Sequence, residues 1–184
     1  MTTDTVPAPT SPSKRSGGLG TVTYVCACVA AVLTFVAVGP SAKAVVGAFL
    51  AVVLVVLAAI DLERRVIPNN IVLPASAIVL LANIAIRPSH AVEFLVAGAA
   101  AFAVFFVVAL INPAGLGMGD VKLAFLLGAG LGWDVAAALI LGTFGAAIYG
   151  VFIVLTRPGA GAKTAFPLGP FLAGGAIVVL LLSH

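Results

Sequence analysis

Charged residues are scarce in this 184-residue sequence, and their scarcity decides its class. Asp, Glu, Lys and Arg make up 8% of the chain, hydrophobic residues make up 62%, and the mean hydropathy is +1.28. A water-soluble domain carries about 25% charged residues, so this chain has too few charges to cover a surface that faces water. The composition predicts a membrane protein with most of its mass in the bilayer.

Residue types that often build sites are also rare. Cys26 and Cys28 lie two apart in an apolar run, so on a helix they cannot form a disulfide, and they form no CxxC pair of the zinc-binding kind. We expect both to be small buried residues. His90 and His184 fall in a loop and at the last position, and HExxH and GxSxG motifs are absent. We therefore expect no metal and no cofactor. The nine basic residues are scattered, which excludes a nucleic-acid-binding surface.

Proline, glycine and charged residues divide the chain into a tail and seven apolar segments. Residues 1–18 are rich in Pro, Ser, Thr and Gly and predict a disordered tail. The segments are 19–38, 44–61, 70–86, 91–111, 121–131, 135–156 and 166–182. A span needs roughly 20 residues, so 121–131 either crosses only part of the bilayer or begins earlier, within GLGMGD. The first segment has a length that favours a retained helix over a signal peptide. We predict an all-α, polytopic membrane helix bundle of six to seven transmembrane helices, with residues 19–184 as the membrane-embedded domain.

The basic residues predict how this bundle is oriented. With the tail in the cytoplasm, seven basic residues fall on the cytoplasmic side and two, Lys43 and Arg87, on the outer side, as the positive-inside rule requires. The seven are Lys14, Arg15, Arg64, Arg65, Lys122, Arg157 and Lys163. In this orientation Asp61 and Asp120 fall at the same, cytoplasmic, end of the membrane.

These two aspartates are the strongest candidates for chemistry among six acidic residues. Asp61 ends the apolar run AVVLVVLAAI, and Asp120 precedes the apolar VKLAFLL. A carboxylate at membrane depth is costly and indicates a functional site. The structural alternatives are that Asp61 pairs with Arg64 or Arg65 and that Asp120 caps the helix that follows it.

Two aspartates that approach each other would share the chemistry of an aspartic protease. Both cannot ionise cheaply, so one keeps a proton. The ionised carboxylate can take a proton from water while the protonated one donates to a carbonyl oxygen. Gly115, Gly117 and Gly119 precede Asp120, and glycine permits positive φ and close approach of two backbones. We expect these glycines to let an extended peptide reach the carboxylate.

The combined pattern resembles the type IV prepilin peptidase family of GxGD membrane aspartyl proteases. The matching stretches are DLERRVIPN at 61–69 and GLGMGDVKLAFLLGAGLG at 115–132, in which an Asp precedes Ile-Pro and a GxGD motif leads into a Lys-containing helix. The stretch FPLGPFLAGG at 166–175 is similar to the C-terminal signature of that family. The resemblance covers roughly residues 45–180.

The resemblance implies an aspartyl endopeptidase that cleaves the short basic leader of prepilin-like proteins at the cytoplasmic face of the cell membrane. It implies that Asp61 and Asp120 form the catalytic pair, and that Pro68 ends the helix after Asp61. The residues that would bind substrate or shape the site are Pro68, Gly117, Gly119 and Lys122. It also implies a pilus or secretion assembly machinery as a possible further partner.

The chain differs from the longer family members, which carry an insert with paired CxxC motifs and also methylate the new N-terminus. That insert is missing here, so the resemblance implies the short, protease-only form that processes Flp-type or archaellin-type substrates, without N-methyltransferase activity. A presenilin-like protease is disfavoured, because Ile60-Asp61 replaces the Tyr-Asp pair expected there.

Two alternatives remain open. A small multi-pass transporter would use Asp61 and Asp120 as a proton or ion pathway, although a carrier places such acids near the midplane of the membrane. A non-catalytic relative could serve as a scaffold for pilus assembly, but the intact Asp61, Gly119 and Asp120 argue against it.

Overall fold

The computed structural model describes residues 17–113, 115–156 and 168–182, and these residues form an all-helical bundle without strands. The helices are α1 (Gly17–Val38), α2 (Ala42–Arg64), α3 (Asn69–Ile86), α4 (Ala91–Ile111), α5 (Met118–Leu131), α6 (Val135–Thr156) and α7 (Gly169–Leu182). Short 3₁₀ turns, Pro88–His90 and Gly132–Asp134, precede α4 and α6. The predicted fold class, an all-α membrane helix bundle, is confirmed.

Each predicted apolar segment is a helix in the structure, with some differences at the ends. The bounds of α4 and α6 agree with the prediction, and α5 begins early, at Met118, within GLGMGD. Asp61 does not end its helix, because α2 continues to Arg64. Residues 1–16 of the predicted tail, the loop 157–164 with Arg157 and Lys163, and residues 166–167 lie outside the described residues.

Four stretches of the described chain are long and apolar enough to cross a membrane. They are Ala42–Arg64, Asn69–Ile86, Pro88–Ile111 and Met118–Thr156, the last of which contains both α5 and α6. Val22–Val38 and Gly169–Leu182 are shorter apolar helices. Large apolar side chains such as Ile111 and Leu155 are exposed on the outside of the bundle, which is typical of a surface that contacts lipid. Cys26 and Cys28 are exposed on α1, so the expectation that they are buried is wrong.

Glycine allows neighbouring helices to approach closely in lipid. Gly128 of α5 lies so near α4 that a Cβ built on it would be 2.6 Å from the Cα of Gly98. A Cβ on Gly175 of α7 would be 2.7 Å from the backbone nitrogen of Gly142 in α6. Gly174 faces open space, so it has no such packing role.

The core of the bundle brings α2, α5 and α7 together. α2 packs against α7 and α3, and α5 packs along α4 and α3 while also contacting α2 and α7. Leu54 and Leu57 of α2 and Leu123 and Leu127 of α5 are fully buried between these helices. This packing places the end of α2 beside the first residues of α5 and α7.

Candidate active site

Asp61 is buried near the end of α2 and contacts the first residue of α7. Its side chain is 6% exposed. The backbone N–H of Gly169 donates a hydrogen bond to Asp61 Oδ2 at 3.1 Å. A Cβ on residue 169 would lie 2.7 Å from that same oxygen, so a side chain at position 169 would force the carboxylate to move. Glycine at this position therefore lets the carboxylate lie directly against the start of α7.

The proposed pairing of Asp61 with its neighbouring arginines is wrong. Arg64 and Arg65 are exposed, and within the described chain the interactions of the Asp61 carboxylate involve the Gly169 backbone rather than a guanidinium. Arg65 has another function. It adopts the left-handed conformation, φ 53° and ψ 35°, and its N–H donates to the Asp61 carbonyl oxygen at 2.8 Å, which ends α2.

Pro68 has a different structural role from the one predicted. α2 has already ended at Arg64, and Pro68, with φ −72° and ψ 127°, is the N-cap residue of α3. At this position its missing N–H costs nothing, because the first N–H groups of a helix have no partner inside the helix. The prediction that Pro68 ends the helix after Asp61 is therefore wrong, and it begins the next helix instead.

Asp120 lies in the first turn of α5, beside Asp61. Gly117 is the N-cap residue of α5, and its backbone N–H interacts with the Asp120 carboxyl group in the first turn, so Asp120 caps the start of this helix from inside it, as that alternative expected. The carboxyl group turns back towards Gly117, where a Cβ would lie 3.4 Å from Asp120 Oδ2. The contact between α2 and α5 places the Asp61 carboxyl group near that of Asp120. The structure thus brings together two carboxyl groups that lie in separate sequence motifs.

Gly119 is the point where α5 meets the loop between α2 and α3. A Cβ on Gly119 would be 2.9 Å from the Cβ of Ile67, a buried residue of this loop. Gly115, Gly117 and Gly119 do not use the positive φ that glycine permits, since the described glycines with positive φ lie elsewhere in the chain. Close approach to Ile67, and not backbone conformation, is what requires a glycine at position 119.

Lys122 lies at the edge of this site and connects α5 to α3. Its Nζ donates to Oδ1 of Asn69, the first residue of α3, at 2.7 Å on the exposed surface. A cavity of about 340 Å³ lies between the end of α2 and the start of α3. Its lining residues are Ile60, Glu63, Arg64, Val66, Pro68 and Ile71. Neither Asp61 nor Asp120 lines this cavity.

Sequence reasoning missed three residues of this arrangement. Gly169 lies in FPLGPFLAGG, a stretch identified from the sequence without a role for any of its residues. Ile67 was quoted as part of a motif, and Asn69 was not singled out. All three residues lie within motifs that the sequence shows, and this position was the only sequence feature that could indicate them. Their contacts themselves could not be predicted, because each contact joins residues that are far apart in the chain.

The chemistry available to the site is that of two carboxyl groups. Within the residues that the structure describes, no group of three or more His, Cys, Asp or Glu side chains is arranged to hold a metal ion. Asp61 and Asp120 can act on a water molecule placed between them, one as base and one as acid.

Comparisons with known proteins give the family. The sequence profile of the Type IV leader peptidase family matches residues 48–155, which include both aspartates. A prepilin leader peptidase/N-methyltransferase from Pseudomonas putida is 34% identical over 149 residues, or 77% of this chain and 51% of that protein. A protein of the same description from Aeromonas salmonicida (strain A449) is 32% identical over 135 residues, which are 70% of this chain and 46% of that protein. The chain thus spans about half the length of these curated relatives.

No solved structure matches this chain significantly. The family match covers more than half of the sequence and contains both aspartates together with the α2–α3 loop that contacts Gly119. The chain therefore belongs to the type IV leader peptidase family.

Proposed function

We propose that this chain is an aspartic-type endopeptidase that removes the leader peptide of prepilin-like proteins. The observation that carries the proposal is the proximity of Asp61 and Asp120, which come from two motifs and lie near each other where α2 and α5 meet. The names of the relatives, which describe leader peptidases, agree with this activity.

The proposed mechanism needs the two carboxyl groups and one water molecule. Because two nearby carboxyl groups cannot both ionise cheaply, one proton is shared by the pair at working pH. The ionised group draws a proton from water, and the protonated group hydrogen-bonds the carbonyl oxygen of the peptide bond being cleaved. Low solvent exposure strengthens these interactions.

We place the site at the cytoplasmic face of the cell membrane, because that orientation puts seven of nine basic residues in the cytoplasm. The substrate is then a membrane-anchored protein whose short, basic leader precedes an apolar helix, and a Flp-type prepilin fits this description. A pilus or secretion assembly machinery would take up the processed product. We propose the peptidase reaction without N-methylation, since Cys26 and Cys28 form no CxxC pair.

The proposal is tested with a prepilin leader and its first helix fused to a reporter. Membranes that contain the full chain are incubated with this substrate, and the new N-terminus is read by mass spectrometry. Asp61→Asn and Asp120→Asn keep the shape of each side chain but remove the carboxyl group, so each should lower the cleavage rate by several orders of magnitude. The double variant should lose little more, because the pair acts as a unit.

The matched control is Asp134→Asn, which changes an exposed aspartate in the 3₁₀ turn before α6. Its cleavage rate should equal that of the wild type. An Asp120→Asn enzyme that cleaves at a near-normal rate would contradict the proposed function and favour the transporter.

A further inference from the structure

The hydrogen bond from Gly169 to Asp61 connects α7 to the carboxyl pair. It is buried, it spans 108 positions of sequence, and it comes from the first N–H of a 14-residue helix. Residue 169 lies beyond the residues 48–155 that the family profile matches. The contact is therefore an observation about this chain that the comparison does not supply.

We propose that Gly169 is a positioning residue whose backbone N–H holds Asp61 as the ionised member of the pair. Asp61 is then the base and Asp120 the acid. This inference rests on the proposed function, since it assigns roles within the same reaction.

The physical argument concerns which carboxyl group keeps the negative charge. A hydrogen bond donated to a carboxylate favours its ionised form. The N-terminus of a helix adds a positive dipole end at the same oxygen. Asp120 also lies at a helix N-terminus and has the backbone N–H of Gly117 beside its carboxyl group, but its side chain is more exposed than that of Asp61. Water therefore competes for the contacts of Asp120, whereas the Gly169 contact is shielded.

Few other charged groups of the described helices lie around Asp61. The helices α1, α3 and α7, which pack against α2, carry no Asp, Glu, Lys or Arg. α5 contributes Asp120 and Lys122, and the Lys122 ammonium is bonded to Asn69. The exposed Glu63 and the two arginines at the end of α2 lie on the same helix or just after it. Among the residues that the structure describes, Asp120 is therefore the charged partner that decides where the proton resides.

Each proton has a place in the resulting reaction. Asp61 takes a proton from water, the water oxygen bonds to the scissile carbonyl carbon, and Asp120 gives its proton to the carbonyl oxygen. The tetrahedral diol then collapses and the C–N bond breaks. Asp61 passes its proton to the leaving nitrogen, and Asp120 regains one from a diol hydroxyl. The products are the leader and the shortened protein, and both aspartates return to their starting states.

The first experiment locates the proton without measuring protease activity. Dicyclohexylcarbodiimide is a hydrophobic reagent that modifies protonated carboxyl groups in apolar surroundings. The purified full chain in lipid vesicles is treated at neutral pH, and the modified residues are mapped by mass spectrometry. We expect modification at Asp120 and several-fold less at Asp61. Asp61→Asn removes the neighbouring charge that keeps the Asp120 proton in place, so modification of Asp120 should fall several-fold. Modification mainly at Asp61 in the wild type would overturn the assignment.

The second experiment perturbs the donor. Gly169→Ala places a Cβ 2.7 Å from Asp61 Oδ2, so the carboxylate must retreat by about 0.7 Å to reach an ordinary contact. Gly174→Ala is the matched control, because it adds the same methyl group to the same helix where nothing lies within 4 Å. Modification at Asp61 should rise in Gly169→Ala and stay at the wild-type level in Gly174→Ala. An unchanged pattern in a folded Gly169→Ala protein would overturn the positioning role.

Activity measurements separate positioning from packing. Gly169→Ala should lower kcat by up to about 100-fold while KM stays within about threefold, since a shift near 1 Å has that effect on catalysis. The acidic limb of the pH–rate profile should move to higher pH, because Asp61 loses a donor that favours its ionised form. A lower kcat with an unmoved acidic limb would show packing alone and contradict the proposal.

The two proposals fail in different ways. If the wild type is modified at Asp120 but cleaves no prepilin leader, the proposed function is wrong and the charge assignment stands. If the wild type cleaves the leader but is modified mainly at Asp61, the function stands and the assignment is wrong.

Discussion

Adding one methyl group at Gly119 tests whether the contact between α5 and the α2–α3 loop sets the geometry of the carboxyl pair. In Gly119→Ala the new Cβ would lie 2.9 Å from the Cβ of Ile67 and 3.5 Å from its backbone nitrogen. Carbon atoms in contact lie about 3.5–4.0 Å apart. The loop must therefore retreat from α5 by about 0.6–1.1 Å.

This displacement acts on both aspartates, because the loop follows Asp61 and the first turn of α5 carries Asp120. A misplacement near 1 Å costs about 100-fold in rate, so kcat should fall by about that factor. The extra methyl in a packed contact should also lower the free energy of unfolding by about 1–3 kcal/mol. Gly119→Val adds more volume at the same point and should abolish cleavage.

The assay compares initial cleavage rates of the reporter substrate in membranes that contain equal amounts of each protein. Gly145→Ala is the control, because its Cβ would meet Phe171 at an ordinary 3.6 Å. Ile67→Gly removes the clashing Cβ, so Gly119→Ala should cost much less in that background, as a double-mutant cycle measures. A wild-type rate for Gly119→Ala, or the same loss in both backgrounds, would refute the reasoning.

Other outcomes follow from contacts at the edge of the site and from its predicted orientation. Lys122→Met and Asn69→Ala remove the same exposed hydrogen bond, so each should lower the free energy of unfolding by at most about 1.5 kcal/mol. The double variant should be no less stable than either single variant, which thermal denaturation in detergent would test. In intact cells, Glu63→Cys should react only with membrane-permeant thiol reagents, and Asp134→Cys also with impermeant ones; the reverse pattern would contradict the orientation. A metal chelator should leave the cleavage rate unchanged, because the proposed chemistry uses carboxyl groups alone.

Local sequence signals were sufficient for the helices and for the two aspartates. Long apolar runs interrupted by Pro, Gly and charge mark helix ends, so the bounds of α4 and α6 could be predicted to the residue. Asp61 and Asp120 could be found because a carboxylate beside an apolar run is costly and therefore conspicuous.

Contacts between distant residues could not be predicted in the same way. The bond from Gly169 to Asp61 and the contact of Gly119 with Ile67 depend on how helices pack. The predicted end of α2 was also wrong, because that helix ends in an uncommon backbone conformation. Arg65 adopts a left-handed backbone that is rare outside glycine, so the end of α2 was assigned to Pro68 instead.

The two helices that begin at the carboxyl pair are both short. α5 and α7 have 14 residues each, which at 1.5 Å per residue is about 21 Å, whereas the hydrocarbon core of a bilayer is about 30 Å thick. Such a mismatch is relieved by local thinning of the bilayer. The lipid leaflet beside Asp61 and Asp120 should therefore be dimpled. A peptide bond next to the membrane surface can then reach the carboxyl pair, together with the water that hydrolysis consumes, without crossing a full depth of hydrocarbon.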